Sequence, residues 1–278
     1  MPTTLYAFPL DELLTLGDAR PTKHHWPDYR QYGLTAEHIP DLIRMATDDE
    51  LNTANSQSAK VWAPTHAWRA LGQLHAESAA EPLTSLFHLI DDNDDDMVNE
   101  ELPEVLGLIG PAAIPVVVAY LADTSHGLWA RVAAALSLGE IGQRHPDSRG
   151  ECIAALTRQL EHFEEQDESL NAFLVGPLRD LRSVESAQVM ERAFAADRVA
   201  IGVYGDWEDV QIDMGLRQAR ETPKPDYAAS TLGLEQVTII REGLKRLAEH
   251  SSQSKKSKAK KRDKRKQQEP RGTRSERK

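Results

Sequence analysis

Ten histidines, one cysteine and 44 carboxylates are the chain's stock of groups for catalysis or metal binding. Their spacing matches none of the arrangements that those chemistries need. A zinc protease places two imidazoles one helical turn apart with a glutamate beside the first, and no histidine here is followed by Glu. There is no Gly-x-Ser-x-Gly elbow to expose a nucleophilic serine and no glycine-rich loop to cradle a phosphate. The run from Asp91 to Asp96 offers hard oxygen ligands suited to calcium. A calcium loop begun at Asp92 needs Gly where Met97 stands and Glu where Pro103 stands, and one begun at Asp91 meets Asp96 and Leu102 there. Adjacent His24 and His25 do not face one ion, so with Trp26 and Tyr29 they read as a segment packing its aromatics on the first helical unit. Cys152 stands alone on an apolar helical face, which excludes an internal disulfide and a cysteine-built zinc site and suits a core position. No metal and no cofactor is expected.

Charge carries more information than these groups do. The net charge is −11, yet Lys255 to Lys278 holds 13 basic and 3 acidic residues and is +10. The other 254 residues hold 20 basic and 41 acidic groups and are −21. Within the basic run, Lys255, Lys256, Lys258, Lys260, Lys261, Arg262, Lys264, Arg265 and Lys266 stand almost without apolar neighbours. Such a segment cannot bury enough area to fold and is expected to be disordered. It suits polyanions through counterion release, and the acidic remainder confines any nucleic-acid contact to it. No aromatics are interleaved for base stacking.

The acids also recur. Asp91, Asp92, Asp94, Asp95 and Asp96 follow one apolar helical stretch, and Glu164, Glu165, Asp167 and Glu168 follow another. Asp123 and Asp197 hold the same place elsewhere. One reading makes these acids helix caps. The other aligns them as an acidic edge that takes a basic partner or this chain's own tail.

What must position these residues is a repeat. Leu71-Gly72-Gln73-Leu74, Leu106-Gly107-Leu108-Ile109, Leu138-Gly139-Glu140-Ile141 and a worn Leu178-Arg179-Asp180-Leu181 lie 35, 32 and 40 residues apart. Each closes a helical stretch and is followed by a break and a second apolar helix: Glu81 to Ile90, Ile114 to Leu121, Glu151 to Phe163 and Ser186 to Phe194. Ser78 to Glu81 reads as a capping box for the first of these. Gly110-Pro111 and His145-Pro146 supply breaks, and Pro177 should kink the last first helix. Thr35 to Ala46 reads as a helix with Thr35 as N-cap, Asn52 to Lys60 as a loop, Asp206 to Leu216 as a capped helix and Leu232 to Leu247 as a final amphipathic helix.

This pattern resembles HEAT repeats, in particular the bacterial kind first described in phycobilisome lyases, over about Val61 to Ala200. The resemblance implies an all-α fold: an α-solenoid of about four helix pairs over 61–200, with caps over 1–60 and 201–250 and a disordered basic tail over 251–278. It also implies an Asp–Arg ladder along the stack. Of that ladder only Arg131 stands at the expected register, where Pro64, Asn99 and Asn171 occupy the other units. The di-iron hydroxylases built on such repeats carry His-Glu pairs, which are absent here, and only the repeat type points to bilin attachment.

The expected role is therefore a non-enzymatic scaffold that binds a protein or peptide partner, with the tail for polyanions. The alternatives are an RNA- or ribosome-associated protein anchored by its tail, and a bilin-lyase-like or other enzyme. No apolar run reaches membrane-spanning length, and Met1 to Leu16 carries acids instead of a basic leader, so neither a membrane partner nor a secretory signal is expected. The lone cysteine fits the cytoplasm.

Overall fold

The computed structural model describes residues 6–23 and 25–227. His24, the helix expected over Leu232 to Leu247 and the basic run from Lys255 lie outside them. Contacts divide the chain into units 1–232 and 233–278, so everything described belongs to the first unit. Among the described residues the only regular structure is helix, as the alternation of apolar stretches and breakers requires.

Helix α1 (Ile39–Ala46) is entered through a 3-10 turn behind Thr35, whose backbone N–H donates to the His38 ring at 3.0 Å. Its buried face is Leu42, Met45 and Ala46. After α2 (Asp49–Asn52) the polar stretch runs to a 3-10 turn at Ala59–Trp62. Four helix pairs follow: α3 (Ala63–Gln73) with α4 (Ala80–Ser85) and α5 (His88–Asn93), α6 (Asp96–Ile109) with α7 (Ile114–Ala122), α8 (Leu128–Arg144) with α9 (Arg149–Leu160), and α10 (Glu168–Asp180) with α11 (Ala187–Ala195). Two further helices, α12 (Ile201–Tyr204) and α13 (Trp207–Met214), complete the described chain.

The first helices touch in the order α3, α6, α8, α10, and the second helices in the order α4, α7, α9, α11. Two helical layers result, with the core between them. Leu71, Leu106, Leu138 and Leu178, the leucines of the repeated motif, are all fully buried, each contributing about 1.5–3 kcal/mol by leaving water. The glycine after each leucine has a separate purpose. A Cβ on Gly72 would lie 3.3 Å from Leu108, on Gly107 2.7 Å from Glu140, and on Gly139 2.9 Å from Pro177, each neighbour belonging to the next first helix. The motif is thus the point of closest approach between successive first helices. In the worn copy Arg179 replaces glycine, and its guanidinium lies 4.5 Å from the ring centre of Tyr204 instead.

Two local expectations are corrected. The second helix of the first pair is not capped by Ser78; a 3-10 turn at Glu77–Ala79 leads into α4 without a side-chain cap. The same entry, a 3-10 turn, precedes α7, α9 and α11. Nor is that second helix continuous. Thr84 and Ser85 hydroxyls donate to the carbonyls of Ala80 and Pro82, and the His88 ring donates to Ser85 O. Such side-chain bonds compete with the helical ladder, and the chain tightens to three-residue bonds at Leu86 and Phe87 before α5 begins.

The N-terminal segment lies on the first-helix layer. Arg69, fully buried, donates to Glu101 at 2.6 Å, to Thr22 Oγ1 at 2.9 Å and to Ala19 O at 3.1 Å. The Tyr29 backbone N–H donates to Gln73, which in turn donates to Pro27 O. Tyr29 is buried and Trp26 lies under the Arg69 guanidinium, so the aromatics after His25 do pack on the first pair. Cys152 is likewise buried.

Candidate functional site

The ladder register shows what the stack does with its polar groups. Arg131 donates to Leu121 O at 2.9 Å, and Asn171 donates to Phe163 O at 2.9 Å and to Arg198 O at 2.7 Å. Arg131 satisfies a carbonyl at the C-terminal end of α7, and Asn171 satisfies carbonyls just past the ends of α9 and α11. Arg131 therefore reaches a backbone carbonyl in place of the carboxylate that the resemblance implies.

Many of the expected acidic-edge residues are helix caps. Asp95 and Asp167 accept the first-turn N–H groups of α6 and α10, from Val98 and Ser169. Asp91 accepts from the N–H groups of Trp129 and Ala130 at 3.1 and 2.8 Å, capping α8 from 38 residues away. Glu168 pairs with Arg198 at 2.7 Å. Asp123 accepts from Ser125 N–H at 2.9 Å, while Asp94 and Asp197 occupy left-handed turns that end α5 and α11. Asp92, Asp96, Glu164 and Glu165 are exposed.

A second acidic group closes on its own chain. Asp206 caps α13 and, with Asp209, receives the Arg220 guanidinium at 2.6–2.8 Å, while Glu208 takes Arg217 at 2.7 Å and the N–H groups of Glu221 and Thr222. The Arg220 bonds hold the Asp206 carboxyl below the ordinary range. The Gly205-Asp206-Trp207-Glu208-Asp209 string is therefore a clasp for residues 217–227. Beside it, Phe194 stacks on Trp207 at 5.7 Å over a groove of about 350 Å³.

The larger groove, about 470 Å³, lies in the second-helix layer between the first two pairs. Glu81, Thr84 and Ser85 of α4 and His88 of α5 form one wall. Val116, Ala119 and Tyr120 of α7 form the other, and Asp123 and His126 of the turn after α7 close it. The His126 ring lies flat on Tyr120, with centroids 3.7 Å apart and planes at 3°. Phe87 meets the same phenol ring edge-on at 5.6 Å. The Tyr120 hydroxyl is buried and has no hydrogen-bond partner. Burial, then the charges of Asp91, Asp92 and Asp123, push this phenol up to about 12. Asp123 Oδ2 stands 3.8 Å from the His126 ring.

Chemically the groove is equipped to bind. Ser85 and His88 do not form a nucleophile–base pair, since the hydroxyl donates to Pro82 O and the ring N–H to Ser85 O. Burial pushes the Cys152 thiol up to about 11, away from nucleophilic use. Among the described residues no group of three His, Cys, Asp or Glu is placed to hold a metal ion. No single helix among them is long and apolar enough to cross a membrane.

Of this groove the sequence reading contained only Asp123. Glu81, His88, Tyr120 and His126 were missed. The signal for half of it was the spacing Tyr120-x-x-Asp123-x-x-His126, which brings three polar groups to one end of a helix. Comparison with family models, with curated proteins and with solved structures returned no match.

Proposed function

We propose that the four helix pairs form a HEAT-like solenoid and that the protein is a scaffold that holds a protein or peptide partner in the groove between α4–α5 and α7. The single observation that carries this reading is the groove itself. It presents a histidine–tyrosine stack flanked by the carboxylates of Glu81 and Asp123. Concave sites with a few converging polar groups in an otherwise apolar wall are where ligands bind. Within the same reading the basic residues from Lys255 to Lys266 add polyanion contact, a separate and salt-sensitive activity.

Affinity capture with full-length protein, with Ala119→Arg and with a truncation after His250 tests both parts. Ala119 is exposed, so arginine there fills the groove without disturbing the core. The expected result is loss of a specific co-purifying protein with Ala119→Arg and loss of nucleic acid with the truncation. Retention of every partner by Ala119→Arg would exclude the groove. Retention of RNA after truncation would exclude the tail.

A further inference from the structure

We propose that the groove between α4–α5 and α7 selects a basic, arginine-bearing segment of its protein partner, seating one guanidinium between Asp123 and the Tyr120–His126 stack. The proposal rests on the partner-binding reading above and names the chemistry of that partner.

Charge complementarity comes first. The groove is lined by the carboxylates of Glu81 and Asp123 and by no lysine or arginine. Asp91 and Asp92 add to the negative field felt at the Tyr120 phenol. This side of the chain thus differs from the clasp at α13, where every comparable carboxylate already holds an arginine of the same chain.

Geometry then separates arginine from lysine. Asp123 is half-exposed, and its Oδ1 is spent on Ser125 N–H. Its Oδ2 stands 3.8 Å from the His126 ring, beyond hydrogen-bonding distance. A guanidinium offers several N–H donors in one plane, so it can give one to Asp123 Oδ2 while its flat face stays free. The flat guanidinium can meanwhile lie against the outer face of the His126 ring, itself stacked on Tyr120, which an ammonium cannot match. The clasp shows the same grammar within this chain: Arg220 is held by two aspartates, beside Tyr227.

The test uses the full-length protein and three fluorescein-labelled twelve-residue peptides of alternating serine with arginine, lysine or glutamate. Anisotropy titrations at moderate salt should rank arginine above lysine, and any binding of the glutamate peptide should be unchanged by Asp123→Asn and lost with the truncation after His250. Asp123→Asn and Glu81→Gln should each weaken the arginine peptide about 5- to 10-fold, as loss of one charge-assisted contact predicts. His126→Ala, which removes the stacking face, should weaken the arginine peptide and leave the lysine peptide nearly unchanged. Asp147→Asn, an exposed acid far from the groove in sequence, should change neither. In heteronuclear NMR the His126 ring signals should move on adding the arginine peptide, a readout that a merely structural role for these residues would not give. Thermal melts of each variant identify any that fail to fold. Equal binding of arginine and lysine peptides, or equal losses in Asp147→Asn, would overturn the proposal in favour of general attraction to an acidic surface. Failure of the arginine peptide while Ala119→Arg still loses the cellular partner would sink this inference and leave the scaffold reading standing. Binding of the arginine peptide while Ala119→Arg retains every cellular partner would sink the scaffold reading and this inference with it.

Discussion

Asp91 and Gly127 are made for each other across two helix pairs. The Asp91 carboxylate caps α8 by accepting from the N–H groups of Trp129 and Ala130, and a Cβ on Gly127 would stand 2.3 Å from that carboxylate. Gly127 is the N-cap position of α8 and brings no side chain of its own, so the cap is delivered from the end of α5. Local chain and distant chain share one job. The prediction is that Asp91→Ala lowers stability by about 1 kcal/mol, the usual worth of an N-cap. Gly127→Ala should cost at least as much, because it expels the same carboxylate. The double variant should cost less than the sum, since one interaction cannot be lost twice. Urea unfolding of the four proteins measures this coupling, and strict additivity would contradict it.

The Arg69–Glu101 pair ties the N-terminal segment to α3 and α6. Both side chains are buried, so removing one leaves an uncompensated charge. Glu101→Ala should destabilise by about 3–5 kcal/mol. Replacing both, as Arg69→Met with Glu101→Leu, should restore part of that loss, because no charge then remains buried. Chemical denaturation compares the two. Limited proteolysis of Glu101→Ala should cut first near Thr22, whose hydroxyl takes an N–H from Arg69.

His66 makes stability depend on pH. Its ring bridges Gly17 O at 2.9 Å and Tyr29 Oη at 2.6 Å. A carbonyl only accepts, so Nε2 carries the proton, and Nδ1 accepts from the phenol. A second ring proton would reverse the Tyr29 bond and leave the phenol proton without its acceptor. Burial accordingly lowers the pKa of His66 below its ordinary value. The unfolded chain therefore binds more protons than the folded one in the window below about 6.5. The contribution is present in full above that window and is lost as pH falls through it. Melting temperatures from pH 8 to pH 5 should fall more steeply for the native chain than for His66→Gln.

Cys152 should resist modification until the chain opens. Its thiol is buried in α9, and a Cβ on Gly142 would be 3.3 Å from the Cys152 Cβ, so α8 packs directly against it. Alkylation by iodoacetamide in native buffer should be slower than in urea by orders of magnitude. Rapid native labelling would show that α9 opens locally.

The helix pairs were legible because their signals are local. Apolar residues at helical spacing, Asp95 and Asp167 at helix entries, and Leu106-Gly107 and Leu138-Gly139 at close approaches can each be read within a window of a few turns. The break in the first second helix was not read, because it turns on whether Thr84, Ser85 and His88 bond solvent or their own carbonyls. Periodicity does not decide that competition.

The sequence by itself therefore determined, for the described residues, a helical architecture, its alternation of helices and breaks and its buried leucines, and for the chain the sign of its charge, since each follows from residue type and short-range spacing. Beyond the local caps such as Asp95 and Asp167, only the tertiary structure decided what the polar residues do. Asp91 became the cap of α8, Arg131 and Asn171 became carbonyl donors, and the acids of 206–209 closed on Arg217 and Arg220. Tyr120 and His126 stacked to face Glu81 and His88 across a groove. The physical reason is separation. In all but two of these cases, the Tyr120–His126 stack and the Asn171 bond to Phe163, partners stand about ten to forty residues apart in the chain and meet only once helices have packed. A carboxylate or a guanidinium has no fixed role until that packing selects its neighbour.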